Sequence, residues 1–308
     1  MMEQNGTVML SLGGYVEVEK YGYVYFLFLL PLFVVILCSN SIIIFLVWIH
    51  RNLHEPMYIF IAALSLNSIL LSTPIYPKIL VDVLSHEQSI SYSGCMTLTF
   101  LFYSIISSDF LLLLAMAYDR YVSICRPLQY SSLIGTTTVI IFLAFAWLMP
   151  AFQLSVTIVL QSKQKICHTT LEGFYCNVKM LKIHCTAPIY VMVWSFFNLT
   201  SLTFMPMLLI LVTYIKIFIT IHNSHGEVRK KALDTCLPHV TVLIINFSLL
   251  SIDTTIAFLG AVLPKRVSLI INLQVLVYNP LCNPIMYGLK MKEIRKHIKR
   301  MLLFWKDE

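Results

Sequence analysis

The stretch that decides the fold is Met116-Ala117-Tyr118-Asp119-Arg120-Tyr121-Val122-Ser123-Ile124-Cys125, at the end of a long apolar segment. A charged side chain costs roughly 2.5 to 3.5 kcal/mol at the centre of a membrane helix. Asp119 and Arg120 are therefore expected at a membrane edge, where each offsets the charge of the other. A plain stop-transfer flank needs no acid before the base, and Tyr118 and Tyr121 bracket the pair as aromatic interface anchors.

The composition extends this membrane assignment to the whole chain. Of the 308 residues, 58% are apolar and 12% are charged, whereas ordinary soluble domains are about 25% charged. A spanning helix needs about 20 apolar residues. Candidate spans lie near residues 24–49, 57–80, 95–124, 136–160, 189–221, 236–260 and 267–288.

The expected fold is an all-α membrane protein, a seven-transmembrane helix bundle with a short amphipathic eighth helix. The bundle covers residues 24–288, after an N-terminal tail (1–23) in which we find no cleavage site. Residues 289–308 form the cytoplasmic end, where a basic amphipathic helix presents an apolar face to the inner leaflet. That face consists of Ile294, Ile298, Met301 and Leu302.

The distribution of basic residues orients the bundle. Most of the 22 Lys and Arg fall in gaps that face the cytoplasm if the N-terminus is outside. We therefore expect a multi-pass protein of the plasma membrane with an extracellular N-terminus. Anionic membrane lipids explain the basic patches better than nucleic acid does. Asn5, in Asn5-Gly6-Thr7, is then an external glycosylation acceptor.

Four cysteines are expected at the extracellular side. Cys167, Cys176 and Cys185 lie in the second external loop, and Cys95 lies at the mouth of the third span. An oxidising exterior favours disulfides, and four cysteines allow three pairings. The competing hypothesis is a zinc site, but the spacing of its ligands matches no usual pattern. Its ligands would come from Cys167, His168, Cys176, His184 and Cys185.

Two further features predict contacts inside the bundle. Asn40 lies near mid-membrane in the first span, where an amide is tolerated if it hydrogen-bonds a neighbouring helix. Pro284 breaks the hydrogen-bond ladder of the last span, and Asn283 is expected to bond the carbonyl that this proline leaves free, forming a hinge that ends at Tyr287. Cys38, Cys125, Cys236 and Cys282 are expected to be free thiols.

Several strings resemble odorant receptors, a branch of the rhodopsin-like G-protein-coupled receptors. They are the opening stretch, Leu-His-Glu-Pro-Met-Tyr at residues 53–58, the residues Lys231, Ala232, Thr235, Cys236 and His239, and Asn-Pro-x-x-Tyr at 283–287. The resemblance covers the whole chain in the right order. Phrases such as Leu-Asn-Ser-Ile-Leu resemble the fish-type branch in particular.

The resemblance implies a function and a set of residues for it. A small, waterborne odorant would bind in the outer half of the bundle and activate a heterotrimeric G protein of the stimulatory, olfactory type, which raises cyclic AMP. The implied ligand-binding residues are Thr99, Phe102, Tyr103, Ile106, Asn198, Leu202, Phe247, Ser251, Thr254 and Leu273. The implied coupling and switch residues are Asp119, Arg120, Tyr121, Leu128, Tyr214, Lys231, His239, Asn283, Pro284 and Tyr287.

The resemblance also selects the disulfides Cys95–Cys176 and Cys167–Cys185, and it gives roles to the switch residues. Arg120 would be freed on activation to meet the G protein, while Asp119 restrains it at rest. His239 is expected to be a polar hinge and not a metal ligand.

Two acidic residues in the predicted membrane spans can each be interpreted in two ways. Asp109 precedes Arg120 by 11 residues, about 16 Å along a helix, and such a carboxylate is a functional-site hypothesis by default. It either shares in a sodium site, although Ser68 replaces the second acid usual in the larger class, or is a neutral group hydrogen-bonded to Ser68 or Asn283. Asp253 either counters a cationic ligand or pairs with a basic residue outside.

Other functions remain as alternatives. The first is a non-olfactory chemoreceptor of the same class, since the helices do not encode the tissue of expression. A transporter would predict internal repeats and paired broken helices, and we find no repeat. An enzyme is not expected, because no nucleophile and base fall together, and no cofactor is implied apart from the sodium ion.

Overall fold

The computed structural model describes residues 3–4, 7–171, 173–177, 180, 183–185, 188–222, 226, 236–237, 239–249, 251–252 and 264–304. The helices of this part are α1 (Val18–Ile49), α2 (Pro56–Asp82), α3 (Tyr92–Cys125), α4 (Tyr130–Leu133), α5 (Thr136–Ser162), α6 (Ile189–Leu199), α7 (Met205–His222), α8 (His239–Leu249), α9 (Lys265–Lys290) and α10 (Lys292–Phe304). Short 3₁₀ turns lie at Arg51–Leu53 and Pro127–Gln129. The strands are β1 (Glu3–Gln4), β2 (Thr7–Leu12), β3 (Ser89–Ser91) and β4 (Thr170–Leu171).

Six helical segments in the described ranges are long and apolar enough to cross a membrane. They are α1, α2, α3, α5, the run from Ile189 to His222, and α9. The predicted sixth span at 236–260 is described only in part, and α8 is its apolar helical portion. The amphipathic helix expected after the bundle is α10, in which Ile294 is fully buried and Ile298 packs against the core.

Several helices extend beyond the predicted spans. α1 begins at Val18, α2 ends at Asp82 and α3 begins at Tyr92, each farther out than the apolar segment that predicted it. Hydropathy marks the hydrocarbon core of the bilayer, whereas a helix continues into the polar interface as long as its backbone bonds are made internally. The bounds predicted from apolar runs were therefore too short at these ends.

α3 is the central helix of the bundle. It packs against α2, α5 and α7. In its most apolar 18-residue stretch 72% of the residues are buried, compared with 28% in the corresponding stretches of α1 and α5. The outer helices instead expose large apolar side chains, such as Trp48 and Phe152, to the surroundings. That arrangement is the one expected for a bundle in lipid, where the apolar exterior carries no penalty.

A small sheet near the N-terminal end of α1 was not predicted. β2 pairs antiparallel with β1 and β3 and parallel with β4, which joins the N-terminal segment to the loop after α2 and to the second external loop. Leu10 and Leu12 of β2 are buried in a cluster with Cys95 and Cys176. Because buried backbone groups must be paired, this segment is held as a strand and not as a loose tail.

The fifth predicted span is not one regular helix. α6 and α7 are separated by a π-helical turn at Thr200–Phe204. Such turns are rare and occur often at functional sites, because the extra residue re-aims the side chains beside it. Here the turn carries Leu202, one of the predicted ligand residues.

Both predicted disulfides are confirmed. Cys95 is joined to Cys176, which ties α3 to the second external loop, and Cys167 is joined to Cys185 within that loop. The zinc alternative was wrong, because the thiolates it needs are consumed in these bonds. The four cysteines expected to be free thiols carry no disulfide.

Candidate functional site

The outer half of α3 contributes to a cluster of aromatic rings. Phe102 lies 5.0 Å from Tyr103 and 5.2 Å from Tyr175 between ring centroids, and Tyr175 lies 5.1 Å from Phe174. Ile106 belongs to the same apolar cluster. Residues of α3 and of the second external loop therefore form one surface, and the Cys95–Cys176 disulfide fixes that loop against the helix.

The N-terminal segment packs against this aromatic cluster. The ring of Tyr15 meets Phe174 edge-on at 6.0 Å, and its hydroxyl donates to Asp82 Oδ2 at 3.1 Å. Asp82 also accepts from Lys78, one helical turn earlier in α2. Burial of the phenol, and then the Asp82 charge, raise the pKa of Tyr15, so this group stays protonated and keeps donating.

Four of the predicted ligand residues lie together. Phe102, Tyr103, Ile106 and Leu273 share one apolar cluster between α3 and α9. Thr99 is buried one turn above, where its hydroxyl lies 2.9 Å from the Cys95 carbonyl oxygen.

The other predicted ligand residues that the structure describes lie elsewhere around the bundle. Asn198 is buried and donates to Thr157 of α5 at 2.7 Å, so its amide nitrogen points between helices. Leu202 is buried on the π turn, and Phe247 of α8 meets Phe204 edge-on at 6.4 Å. Ser251 is partly buried, while Thr254 and Asp253 lie outside the described residues.

Asp109 lies at the middle of the bundle, 4% exposed. The amide nitrogen of Asn67 donates to its Oδ1 at 2.8 Å and to Ser108 Oγ at 3.1 Å, while Trp147 of α5 donates to the amide oxygen of Asn67 at 2.9 Å. The partners proposed from sequence, Ser68 and Asn283, were wrong. Ser68 donates to the carbonyl of Leu64 in its own helix, and Asn283 donates to Ser68 at 3.4 Å.

A small cavity opens beside Asp109, with a volume of about 10 Å³, room for about one water molecule. It lies between α3, α8 and α9. Its lining consists of Ile106, Asp109, Phe110, Asn246, Leu249, Val275 and Asn279. The side-chain oxygens of Asn246 and Asn279 are buried and have no hydrogen-bond partner within the described part of the chain. Three oxygen-bearing side chains from three helices thus border one polar space.

The hinge in α9 is completed by a residue of α1. Pro284 has no N–H for the carbonyl oxygen of Pro280, one turn earlier. Asn40 donates to that oxygen at 2.9 Å. The prediction that Asn40 clamps a neighbouring helix is confirmed, whereas the prediction that Asn283 bonds the freed carbonyl was wrong, because Asn283 faces α2.

The C-terminal end of α3 carries the expected ion pair. Arg120 donates from Nη2 and Nε to Asp119 Oδ2, at 2.7 and 3.1 Å. The hydroxyl of Tyr130 in α4 donates to the other carboxylate oxygen, Oδ1, at 2.8 Å. Asp119 is 1% exposed, so these donors replace the water that its charge would otherwise require.

The side chains around this pair contain three unpartnered polar atoms. Tyr214 OH, His239 Nε2 and Tyr287 OH are buried and have no hydrogen-bond partner among the described residues. The rings of His239 and Tyr287 lie 5.6 Å apart, and Arg120 is within electrostatic range of His239 and Tyr214. Buried polar groups are usually hydrogen-bonded, so three neighbouring polar atoms without a partner among the described residues indicate a site with a role beyond packing.

Two other predicted coupling residues, Leu128 and Tyr121, lie at the same end of the bundle. Leu128 is 98% exposed in the turn after α3. The ring of Tyr121 has Arg126 and Lys216 at 5.9 and 5.8 Å from its centroid. Lys231 lies outside the described residues.

The comparisons with known proteins identify the family. The family model described as olfactory receptor matches residues 29–304. The chain belongs to the olfactory receptor family. It is 29% identical to mouse olfactory receptor 4B13, over 95% of this chain and 93% of that protein. It is 31% identical to human olfactory receptor 10J4 (90% and 89% covered) and 30% identical to human olfactory receptor 2K2 (98% and 96% covered).

Family membership confirms the fold class and the general function. This olfactory receptor is a seven-helix, rhodopsin-like membrane receptor that recognises odorants, couples to a G protein and is not an enzyme. Sequence reasoning missed Asn67, Tyr130 and Tyr15 as contacts of the buried acids Asp109, Asp119 and Asp82, and it missed Trp147 as the contact of Asn67. Asn67 carried a usable signal, because an amide in an apolar span needs a partner. The tyrosines carried none, since their partners are distant in sequence.

Proposed function

We propose that this olfactory receptor binds a small, partly polar, waterborne odorant in the outer half of its bundle and activates a stimulatory, olfactory-type G protein that raises cyclic AMP. The observation that carries the proposal is that α3 has an aromatic cluster near its outer end and the buried Asp119–Arg120 pair at its inner end. Ligand contact at one end can therefore change the state of the other through one rigid element.

The composition of the outer cluster supports a partly polar ligand. Phe102, Tyr103 and Tyr175 offer ring faces and phenol oxygens, and Asn177 donates to Asn272 at 3.2 Å nearby in the same outer region. Apolar surface with a few fixed polar groups is the usual lining of a small-molecule site. A purely hydrocarbon odorant would leave these polar groups without new partners.

The arrangement of polar groups at the inner end of α3 supports a conformational switch. Freeing Arg120 from Asp119 requires new partners for both, and Tyr214, His239 and Tyr287 each hold a buried polar atom that has no hydrogen-bond partner among the described residues. A state that satisfies these atoms is therefore accessible at modest cost. A ligand that binds this state more tightly shifts the population toward it.

The proposed orientation places the N-terminus outside the plasma membrane. Both disulfides lie on the same side of the bundle as the N-terminal sheet, and disulfides persist in oxidising compartments. Asn5 lies outside the described residues, and we propose it as the glycosylated residue. In cells, Asn5→Gln should increase electrophoretic mobility to that of the deglycosylated receptor. An unchanged mobility would count against glycan attachment at this position.

The function is tested by cyclic AMP measurement in cells that express the receptor with an olfactory-type G protein. Amino acids, bile acids, amines and small volatile odorants are the ligands to screen. We expect a response that disappears in cells lacking stimulatory α-subunits. Arg120→Ala should abolish the response while surface expression is retained.

Arg51→Ala is the matched control, because Arg51 is an exposed cytoplasmic arginine away from the ion pair. Its response should equal that of the wild type. A response that persists in Arg120→Ala would contradict the proposed coupling mechanism.

We further propose that Asp109 takes part in a sodium site. The carboxylate of Asp109 and the amide oxygens of Asn246 and Asn279 border the same cavity, and such hard oxygen donors suit a sodium ion. The residues therefore fit the ion even though Ser68 supplies no second acid. A bound ion would add positive charge beside Asp109 and join α8 to α3 and α9.

The sodium proposal is tested by thermal melting of the purified receptor in sodium chloride and in N-methylglucamine chloride. The melting temperature should be higher in sodium, and Asp109→Asn should remove the difference. A sodium effect of equal size in Asp109→Asn would rule out this site.

A further inference from the structure

Asn67 is a buried amide on α2 that joins three helices. It is 0% exposed, and all its amide contacts go to other helices. Its oxygen accepts from Trp147 of α5, and its nitrogen donates to Ser108 and Asp109 of α3.

The orientation of this amide is decided by Trp147. An indole N–H is only a donor, so it must face the oxygen of the Asn67 amide and not the nitrogen. The two N–H groups of Asn67 then point toward α3, where Ser108 and Asp109 supply two acceptors at 3.1 and 2.8 Å. Trp147 thus fixes Asn67, and Asn67 fixes the carboxyl group.

Asp109 is not stabilised by an ion pair in the described part of the chain. The cavity beside it is lined by apolar side chains and by the neutral amides of Asn246 and Asn279. Among the described residues, Tyr287 of α9 is a titratable group that interacts with Asp109 electrostatically. Hydrogen-bond donation is therefore the means by which this buried carboxyl group is held and oriented.

We infer that Asn67, locked by Trp147, is the positioning residue that holds the Asp109 carboxyl group at the cavity shared by α3, α8 and α9. It supplies the α2 contact to Asp109 that Ser68 does not make, since Ser68 donates to its own helix. The inference deepens the proposed function, on which it rests, because it names what orients the central acid of the switch. Its test reads the carboxyl group itself.

The test is infrared spectroscopy of the purified full-length receptor at one fixed pH in sodium-free buffer. The carboxyl band of Asp109 is assigned by its loss in Asp109→Asn. In Asn67→Leu the frequency of this band should change, because the carboxyl group loses the N–H donor that lies 2.8 Å from Oδ1. The carbonyl stretch of a protonated group should move to higher frequency.

Two more variants make the result specific. Trp147→Phe keeps Asn67 but frees its amide to rotate, so the band should shift in the same direction by a smaller amount. Ser65→Ala is the control, because Ser65 is a buried residue of α2 whose hydroxyl has no hydrogen-bond partner among the described residues. Its band should match that of the wild type.

An Asp109 band identical in wild type, Asn67→Leu and Trp147→Phe would overturn the inference. If Asn67→Leu fails to fold, an unshifted band in Trp147→Phe overturns it alone. A shifted band in a receptor that raises no cyclic AMP would leave the positioning role standing and refute the proposed function. A cyclic AMP response together with an unshifted band would refute the positioning role of Asn67 and leave the proposed function standing.

Discussion

Asp119 is bonded on two sides, and only one of its partners is its neighbour in sequence. Arg120 binds one carboxylate oxygen and Tyr130 the other. Burial raises the pKa of the Tyr130 phenol and the charge of Asp119 raises it further, so the hydroxyl remains a donor at neutral pH. The resting ion pair is therefore anchored to α4 as well as to α3.

Tyr130→Phe should increase ligand-independent cyclic AMP. The variant removes one hydrogen bond to a charged group, worth about 1.5 kcal/mol, so the equilibrium can move roughly tenfold toward the active state. Tyr118→Phe is the control, since Tyr118 contacts Phe142 through its ring. Equal basal signalling in Tyr130→Phe and wild type, at matched surface expression, would refute a restraining role for this bond.

Among the elements, α1 and α10 are held by contacts that depend on small or uncharged groups. Gly22 of α1 lies so near the end of α2 that an added Cβ would be 2.2 Å from the carbonyl oxygen of Val83. At the other end of α1, His297 of α10 stacks on His50 with ring centroids 3.8 Å apart and is hydrogen-bonded to Asn52 at 3.1 Å. Both contacts fix the ends of α1 relative to the rest of the bundle.

Gly22→Ala should lower the melting temperature of the receptor. The methyl group meets backbone and not a flexible side chain, so the helices must move apart, and such overpacking costs about 1–3 kcal/mol. Gly135→Ala should leave the melting temperature unchanged, because nothing lies within 4 Å of its added Cβ. Equal melting of the two variants would show that α1 and α2 separate freely.

The docking of α10 should weaken as the pH falls below about 6.5, the usual pKa of histidine. Burial lowers the pKa of His297 in the docked state, and electrostatic repulsion from His50 and Arg300 lowers it further. The undocked state therefore takes up the proton first, and docking is lost progressively as the pH falls toward the lowered value. Amide hydrogen exchange of residues 292–304, corrected for the intrinsic pH dependence, measures this.

His297→Phe keeps a ring for stacking and should make the exchange of α10 independent of pH in this range. His86→Phe, an exposed external position, should retain the wild-type dependence. Protection of α10 that stays constant from pH 7.5 to pH 5.5 in the wild type would contradict the prediction.

At the scale of the whole molecule, the side of the bundle that carries the N-terminal segment is tied together by two disulfides and the small sheet. Cys95–Cys176 spans 81 residues and joins α3 to the loop that covers it, whereas Cys167–Cys185 spans 18 residues within that loop. The N-terminal strand pairs with both loops. The outer surface of the aromatic cluster is thereby assembled from three distant parts of the chain.

Removing the longer disulfide should therefore destabilise the receptor more than removing the shorter one. The chain-entropy relation gives a difference of about 1.3 kcal/mol for loops of these lengths. Surface expression and melting temperature of Cys176→Ala and Cys185→Ala measure it, and Cys38→Ala, an exposed free thiol, is the control. A larger loss in Cys185→Ala would show that strain or packing, and not chain entropy, dominates.

The sequence predicted what depends on local composition. Apolar runs located the spans because lipid selects for uninterrupted hydrophobic surface, and the strings around Arg120 and Pro284 led to the family. It was wrong about partners, such as Asn283 for the freed carbonyl of Pro280, because Asn40 reaches that oxygen from a helix 240 residues away. It was also wrong about Asp109, for which two polar groups were named and neighbouring Asn67 was overlooked.

The amino-acid sequence by itself determined that this chain is a membrane bundle, where its helices lie and which residues carry charge into the bilayer. These properties follow from the free energies of transferring side chains from water to lipid. Those free energies add along the chain and do not depend on which residues are neighbours in space. The tertiary structure alone decided which donor meets which acceptor: Trp147 with Asn67, Tyr130 with Asp119, and β2 with both external loops. The physical reason is that hydrogen bonds act over about 3 Å, so their partners are set by helix rotation and packing, which no local pattern records.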